Sequence, residues 1–98
     1  MMVIRIRLKV EQKNKAQFVQ YMIEETQRNK NRQGCMAYSL YEDLALENQF
    51  LLYEEWQDEH SFDLYKASVE FNEIMQKLSP LLSEKPDSAH FSSNLVGP

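Results

Sequence analysis

Little in this chain bends, staples or anchors it. Two glycines and three prolines in 98 residues exclude a collagen-like or Pro/Gly-rich low-complexity chain. The lone cysteine, Cys35, has no partner for an internal disulfide, which fits a reducing compartment. It follows Gly34 at the apparent start of a strand, away from any activating group, so its expected role is packing. The two histidines, His60 and His90, lie far apart in sequence and lack the clustered spacing of a zinc site, and no metal is expected. No apolar run approaches the roughly 20 residues that a membrane span needs. Met1 to Arg7 alternates instead of forming a signal-peptide core. A soluble, cytoplasmic protein with no membrane partner is the expectation.

An excess of cations is also missing. The formal charge is −4, although residues 1–33 hold eight of the eleven Lys and Arg and only three of the fifteen acids. The basic residues lack the clustering and aromatic interleaving of a nucleic-acid surface, so no nucleic-acid partner is expected. Arg5, Arg7 and Lys9 lying beside acids of another strand, such as Glu54 or Glu55, explains them more simply. Hydrophobic residues make up 43% of the chain and charged ones 27%, enough for one folded domain over 1–98. At this length a single core is only modestly stable, so burying more surface against a second copy is attractive.

What is present is patterned. Residues 2–10 alternate Met2, Ile4, Ile6, Leu8 and Val10 with Val3, Arg5, Arg7 and Lys9, which predicts a strand. From about Lys15 to Arg32, Phe18, Val19, Met22, Ile23 and Thr26 recur at helical steps, and Gly34 supplies the stop. The polar tail Gln27 to Gln33 reads as a solvated helix end whose cations suit the macrodipole. Cys35–Tyr41 and Gln49–Trp56 read as a hairpin with apolar residues on both faces: Met36, Tyr38 and Leu40 alternate with Cys35, Ala37 and Tyr41. Asp58 and Ser68 are placed to cap two further helices, the second ending near Pro80. Pro86–Ser88 reads as a turn. Ala89–Leu95 reads as a weak last strand, held by this chain or exchanged with a neighbour, before a frayed Val96–Pro98. This order, strand, helix, strand, strand, helix, strand, predicts an α+β, ferredoxin-like antiparallel sheet with helices on one face. The core spans about 2–86, and the last strand and tail 87–98.

The densest chemistry lies where the third strand ends on Glu54-x-Trp56 and turns at Asp58 into a helix carrying His60 and Tyr65. A strand-to-helix corner of this kind is where a pocket forms, with Tyr53 close by in sequence.

With that order in place, the chain resembles the antibiotic biosynthesis monooxygenase domain family over residues 2 to about 86. The resemblance is carried by the first-strand alternation, Gly34-Cys35-x-x-Tyr38, Phe50-x-x-Tyr53-Glu54-x-Trp56, Ser68-x-x-Phe71 and Leu78-x-Pro80-Leu81-Leu82. It implies a homodimeric α/β barrel in which two such sheets pack together. The activity it implies is oxygenation of a small phenolic, quinol or polyketide-like compound by O2 with no cofactor. Many members carry His-x-x-Ser-x-His-Phe in the helix after the tryptophan; this chain has Tyr65 and Glu70 at the histidine positions. Haem-degrading relatives ligate iron through that helix histidine, which Tyr65 would replace only as a tyrosinate.

Oxygenation without a cofactor needs a base, donors for an oxyanion and a dry apolar pocket. Glu54, His60 and Tyr65 are the candidate catalytic residues, and Trp56, Tyr53 and Tyr38 the candidate substrate-binding ones, for a flat aromatic or quinone-like ligand. His90 is a further candidate base. Each also has a structural reading: Trp56 as a core anchor, Glu54 as the partner of Arg5 or Arg7, His60 as a solvated helix residue. A non-catalytic dimeric binding module of the same fold therefore stands as the alternative.

Overall fold

The computed structural model describes residues 1–97, so Pro98 of the expected frayed end lies outside it. Strands β1 (Met2–Lys9), β2 (Cys35–Glu42), β3 (Gln49–Trp56) and β4 (Asp87–Ser92) form one sheet in the order β2-β3-β1-β4. Every neighbouring pair is antiparallel. Helices α1 (Lys15–Asn29), α2 (Glu59–Lys66) and α3 (Val69–Leu78) cover one face. This is the ferredoxin-like α+β arrangement.

Local chemistry sets the helix ends. Asp58 accepts from Ser61 N at 2.8 Å to start α2, and Ser68 Oγ accepts from Phe71 N at 3.2 Å to start α3. Pro80 stops α3 in a single 3-10 turn, Ser79–Leu81. Between α1 and β2, Gly34 has a φ of +82°, a left-handed conformation that favours glycine. A Cβ there would also collide with the Ser61 side chain, so α2 seats its first turn directly on this backbone.

The inner face alternates as the pattern requires. Ile4 and Leu8 of β1, and Phe50, Leu52 and Trp56 of β3, meet Phe18 and Met22 of α1, Phe62 and Tyr65 of α2, and Ile74 and Leu78 of α3. The outer face is mixed. It carries Val3, Arg5, Arg7, Leu51, Tyr53, Glu55, Ala37 and Tyr41, with Arg5 over the ring of Phe91 at 5.6 Å. Glu54 therefore does not meet Arg5 or Arg7, because β1 and β3 place it on the opposite side of the sheet.

Three local expectations need correction. Helix α1 ends at Asn29, and its polar tail is not wholly solvated: Asn29 is fully buried, and Arg32 lies over the ring of Tyr65 at 5.2 Å. Met36 does not share a face with Tyr38. A bulge between Cys35 and Ala37 leaves Met36 unpaired and 59% exposed, and it resets the alternation so that Tyr38 points inward. The last strand begins at Asp87, inside the expected turn, ends at Ser92, and pairs with β1 of its own chain.

Candidate functional site

Strand register lines up one residue from each strand across the inner face: Tyr38 opposite Glu54, Glu54 opposite Ile4, and Ile4 opposite His90. Successive strands are about 4.8 Å apart, so this row crosses the whole sheet. Helices α2 and α3 lie above it.

Glu54 is the central polar member. It is 1% exposed, and Trp56 Nε1 donates to its Oε1 at 2.9 Å. Among the described residues no cation pairs with it. Burial, only partly offset by the Trp56 bond and reinforced by the charge of Glu25, pushes its pKa from 4.5 up to about 7. The carboxyl is therefore poised to exchange a proton near neutrality.

Beside it lies a second polar cluster. Tyr65 Oη donates to Glu25 Oε2 at 2.6 Å, and Asn29 Nδ2 donates to the same carboxylate at 2.7 Å and to Tyr65 Oη at 3.1 Å. Arg28 pairs with the other Glu25 oxygen, and Arg32 Nε donates to Asn29 Oδ1 at 3.4 Å. A phenol has one proton, and Tyr65 directs its own to Glu25. The 2.9 Å contact between Tyr38 and Tyr65 is then Tyr38 donating. The result is a directed chain, Tyr38 to Tyr65 to Glu25. Burial, with Glu25 accepting its proton, raises the Tyr65 pKa, and burial beside Tyr65 raises that of Tyr38, so both stay neutral phenols.

The two clusters touch through rings. Trp56 stacks on Tyr65 with centroids 5.0 Å apart and planes 22° apart, and Phe71 meets Tyr65 edge-on at 5.2 Å. Trp56 is fully buried. It serves as the donor that fixes Glu54 and forms no part of the cavity wall.

That cavity, about 310 Å3, lies between the inner face and α2–α3. Ile6, Leu8, Leu52, Phe62, Phe71 and Leu78 are among its apolar walls, and Glu54, Lys66, Ser88 and His90 are its polar lining. Its volume is at the lower end of the roughly 300–1,000 Å3 usual for small-molecule sites.

Of the residues singled out in the sequence, Glu54, Trp56, Tyr65 and Tyr38 gather within one buried region. His60 and Tyr53 do not join them. His60 is exposed in the first turn of α2, and Tyr53 is on the outer face, where its hydroxyl donates to Glu55. Tyr65 does not fit as a haem ligand: its hydroxyl is turned to Glu25 and away from the cavity, and its raised pKa opposes the tyrosinate that iron would need. Glu25 and Asn29 were not singled out. Their signal was spacing, since Phe18, Met22, Glu25 and Asn29 continue one stripe of α1, and a polar residue on a buried stripe requires a partner.

Comparison with known proteins agrees with this architecture. The family model described as Antibiotic biosynthesis monooxygenase matches residues 1–77. An uncharacterized protein of Synechocystis, sll1783, is 31% identical over 84 residues; the match covers 86% of this chain but 56% of that relative, so the chain spans little more than half its length. A conserved protein from Methanosarcina mazei superposes with a TM-score of 0.90 at 22% identity, covering 95% of this chain and 92% of that one. Rv0793 from Mycobacterium tuberculosis superposes with a TM-score of 0.90 at 13% identity, covering 99% and 98%. At such identities these two structures speak for the fold alone.

Proposed function

Because the chain belongs to the antibiotic biosynthesis monooxygenase family, we propose that it is a cofactor-independent monooxygenase in which Glu54 is the general base for a small phenolic, quinol or polyketide-like substrate. The observation that carries this reading is a buried carboxyl lining an apolar cavity, paired with no cation among the described residues and with its pKa pushed up by burial to about 7.

In this scheme Glu54 takes a proton from the bound phenol or enol, leaving an electron-rich anion between apolar walls. The anion passes an electron to O2, and the two radicals join through a new C–O bond to give a peroxide. The O–O bond then breaks. One oxygen stays in the product as a carbonyl, and the other leaves as water with the two hydrogens the substrate has lost. Glu54 returns its proton during that last step. Trp56 keeps the carboxylate aimed at the cavity, and the Tyr65–Glu25–Asn29 cluster holds Trp56 in place by stacking. Tyr38 and Tyr65 thereby act through position and have no contact with substrate, while His60 and Tyr53 take no part.

Two copies packed through their outer faces complete the proposal, acting in the cytoplasm. Val3, Leu51, Tyr53, Ala37 and Phe91 on that face support it, and a monomer at micromolar concentration in light scattering would count against it. No helix among the described residues is long and apolar enough to cross a membrane.

The test is O2 uptake with hydroquinones and polycyclic phenols. Glu54→Gln is expected to lower kcat by about 10²- to 10⁴-fold while ligands still bind. Equal turnover by the variant would remove Glu54 from the chemistry. The alternative, a non-catalytic binding module, draws on Tyr65 and Glu70: the first is sequestered by Glu25, and the second pairs with Arg32 at the surface. Saturable binding without any O2 uptake across the panel would favour it.

A further inference from the structure

The polar groups of the cavity are segregated by charge, and the monooxygenase scheme uses only one of them. Glu54 is the only acid among the described residues that line it. Lys66, Ser88 and His90, all exposed, line it as well and carry donors. The ring of Phe62 gathers two of these: Lys66 Nζ stands over it at 4.7 Å, and the His90 ring meets it edge-on at 5.3 Å. Phe62 is itself a buried wall of the cavity.

We infer that this cavity takes an amphipathic aromatic acid, its phenol directed inward to Glu54 and its carboxylate held at the rim by Lys66, with His90 and Ser88 as further donors. The inference rests on the reading of Glu54 as the base and adds the substrate's second polar group. Among the described residues Lys66 has one ion-pair partner, Asp63 at 3.7 Å, whose side chain is 57% exposed. So open a pair is weak and yields readily to a competing carboxylate. An anion at the inner end would face the Glu54 carboxylate, which fixes the ligand's orientation as phenol inward.

Calorimetric titration of the whole chain with 2-naphthol and with 6-hydroxy-2-naphthoate tests this. The acid is expected to bind about fivefold more tightly than the naphthol, as a rim ion pair allows. Lys66→Met should abolish that preference and leave the naphthol affinity in place, whereas Lys66→Arg should keep it. Raising salt from about 0.05 to about 0.5 M should narrow the gap in the wild type. Equal binding of the two ligands, or a preference that survives Lys66→Met, overturns the anionic subsite and leaves the role of Glu54 standing. If neither ligand binds, the inference and the reading of the cavity beneath it fall together.

Discussion

Replacing Glu54 with glutamine should make the protein more stable, and by an amount that depends on pH. Burial raises the Glu54 pKa from 4.5 to about 7. A carboxyl with a raised folded-state pKa binds its proton more tightly in the folded chain, so its contribution is fully present below about pH 4.5 and is lost as pH rises to about 7. At about 1.36 kcal/mol for each pH unit of that gap, the wild type should lose about 3 kcal/mol relative to the variant across the window. Glutamine keeps the shape and an oxygen to accept from Trp56 Nε1 but has nothing to ionise. Urea melts of both proteins from pH 4 to pH 8 therefore provide the assay. The two stabilities should nearly coincide at the acid end and diverge steadily to about pH 7. In thermal melts the same difference corresponds to a gain of more than about 10 °C near pH 8. A stability difference that is flat with pH would refute the account, because it would mean that Glu54 titrates alike in the folded and unfolded chain.

Three further outcomes are expected. Gly34→Ala forces a side chain into a left-handed backbone and into Ser61, and should cost more than about 1 kcal/mol in urea denaturation; a change below about half that would mean the α1–β2 corner yields easily. Tyr65→Phe removes the hydroxyl shared by Glu25, Asn29 and Tyr38 and should cost about 2 kcal/mol in the same assay, and a neutral result would show that water replaces it without loss. Burial, reinforced by the charge of Glu54, raises the Cys35 thiol from 9.0 to about 11. Alkylation of folded protein at pH 8 should accordingly run about 100-fold slower than that of an unperturbed thiol, and unfolding should restore the rate.

Much of the fold was readable because its signals are local. The alternation of β1 and the Asp58 and Ser68 caps each depend on a few adjacent residues, and all appear in the structure, whereas α1 already ends at Asn29 and the left-handed Gly34 turns the chain into β2. The site was readable only in part, because burial is decided by which face of each element a residue takes. Glu54 was visible, yet its assignment as a partner of Arg5 or Arg7 failed on the parity of β3 against β1. Tyr53 and Trp56 lie three positions apart in one strand and so point to opposite sides of it, which separates two residues that the sequence places together. Glu25, and Asn29 in the hydrophilic tail, gave no local signal of burial, because their partner, Tyr65, lies 40 residues from Glu25 and 36 from Asn29.

The inserted residue in β2 decides more than its own position. Met36 is surplus to the ladder, and its effect is arithmetical. By adding one to the count between Cys35 and Tyr38, it lets both side chains look toward the helices, which an unbroken zigzag would forbid. Without that extra step Ala37 would stand opposite Glu54, and the phenol that begins the proton chain to Glu25 would face the wrong way. The inward turn of that phenol is thus owed to a single miscounted methionine at the sheet's edge.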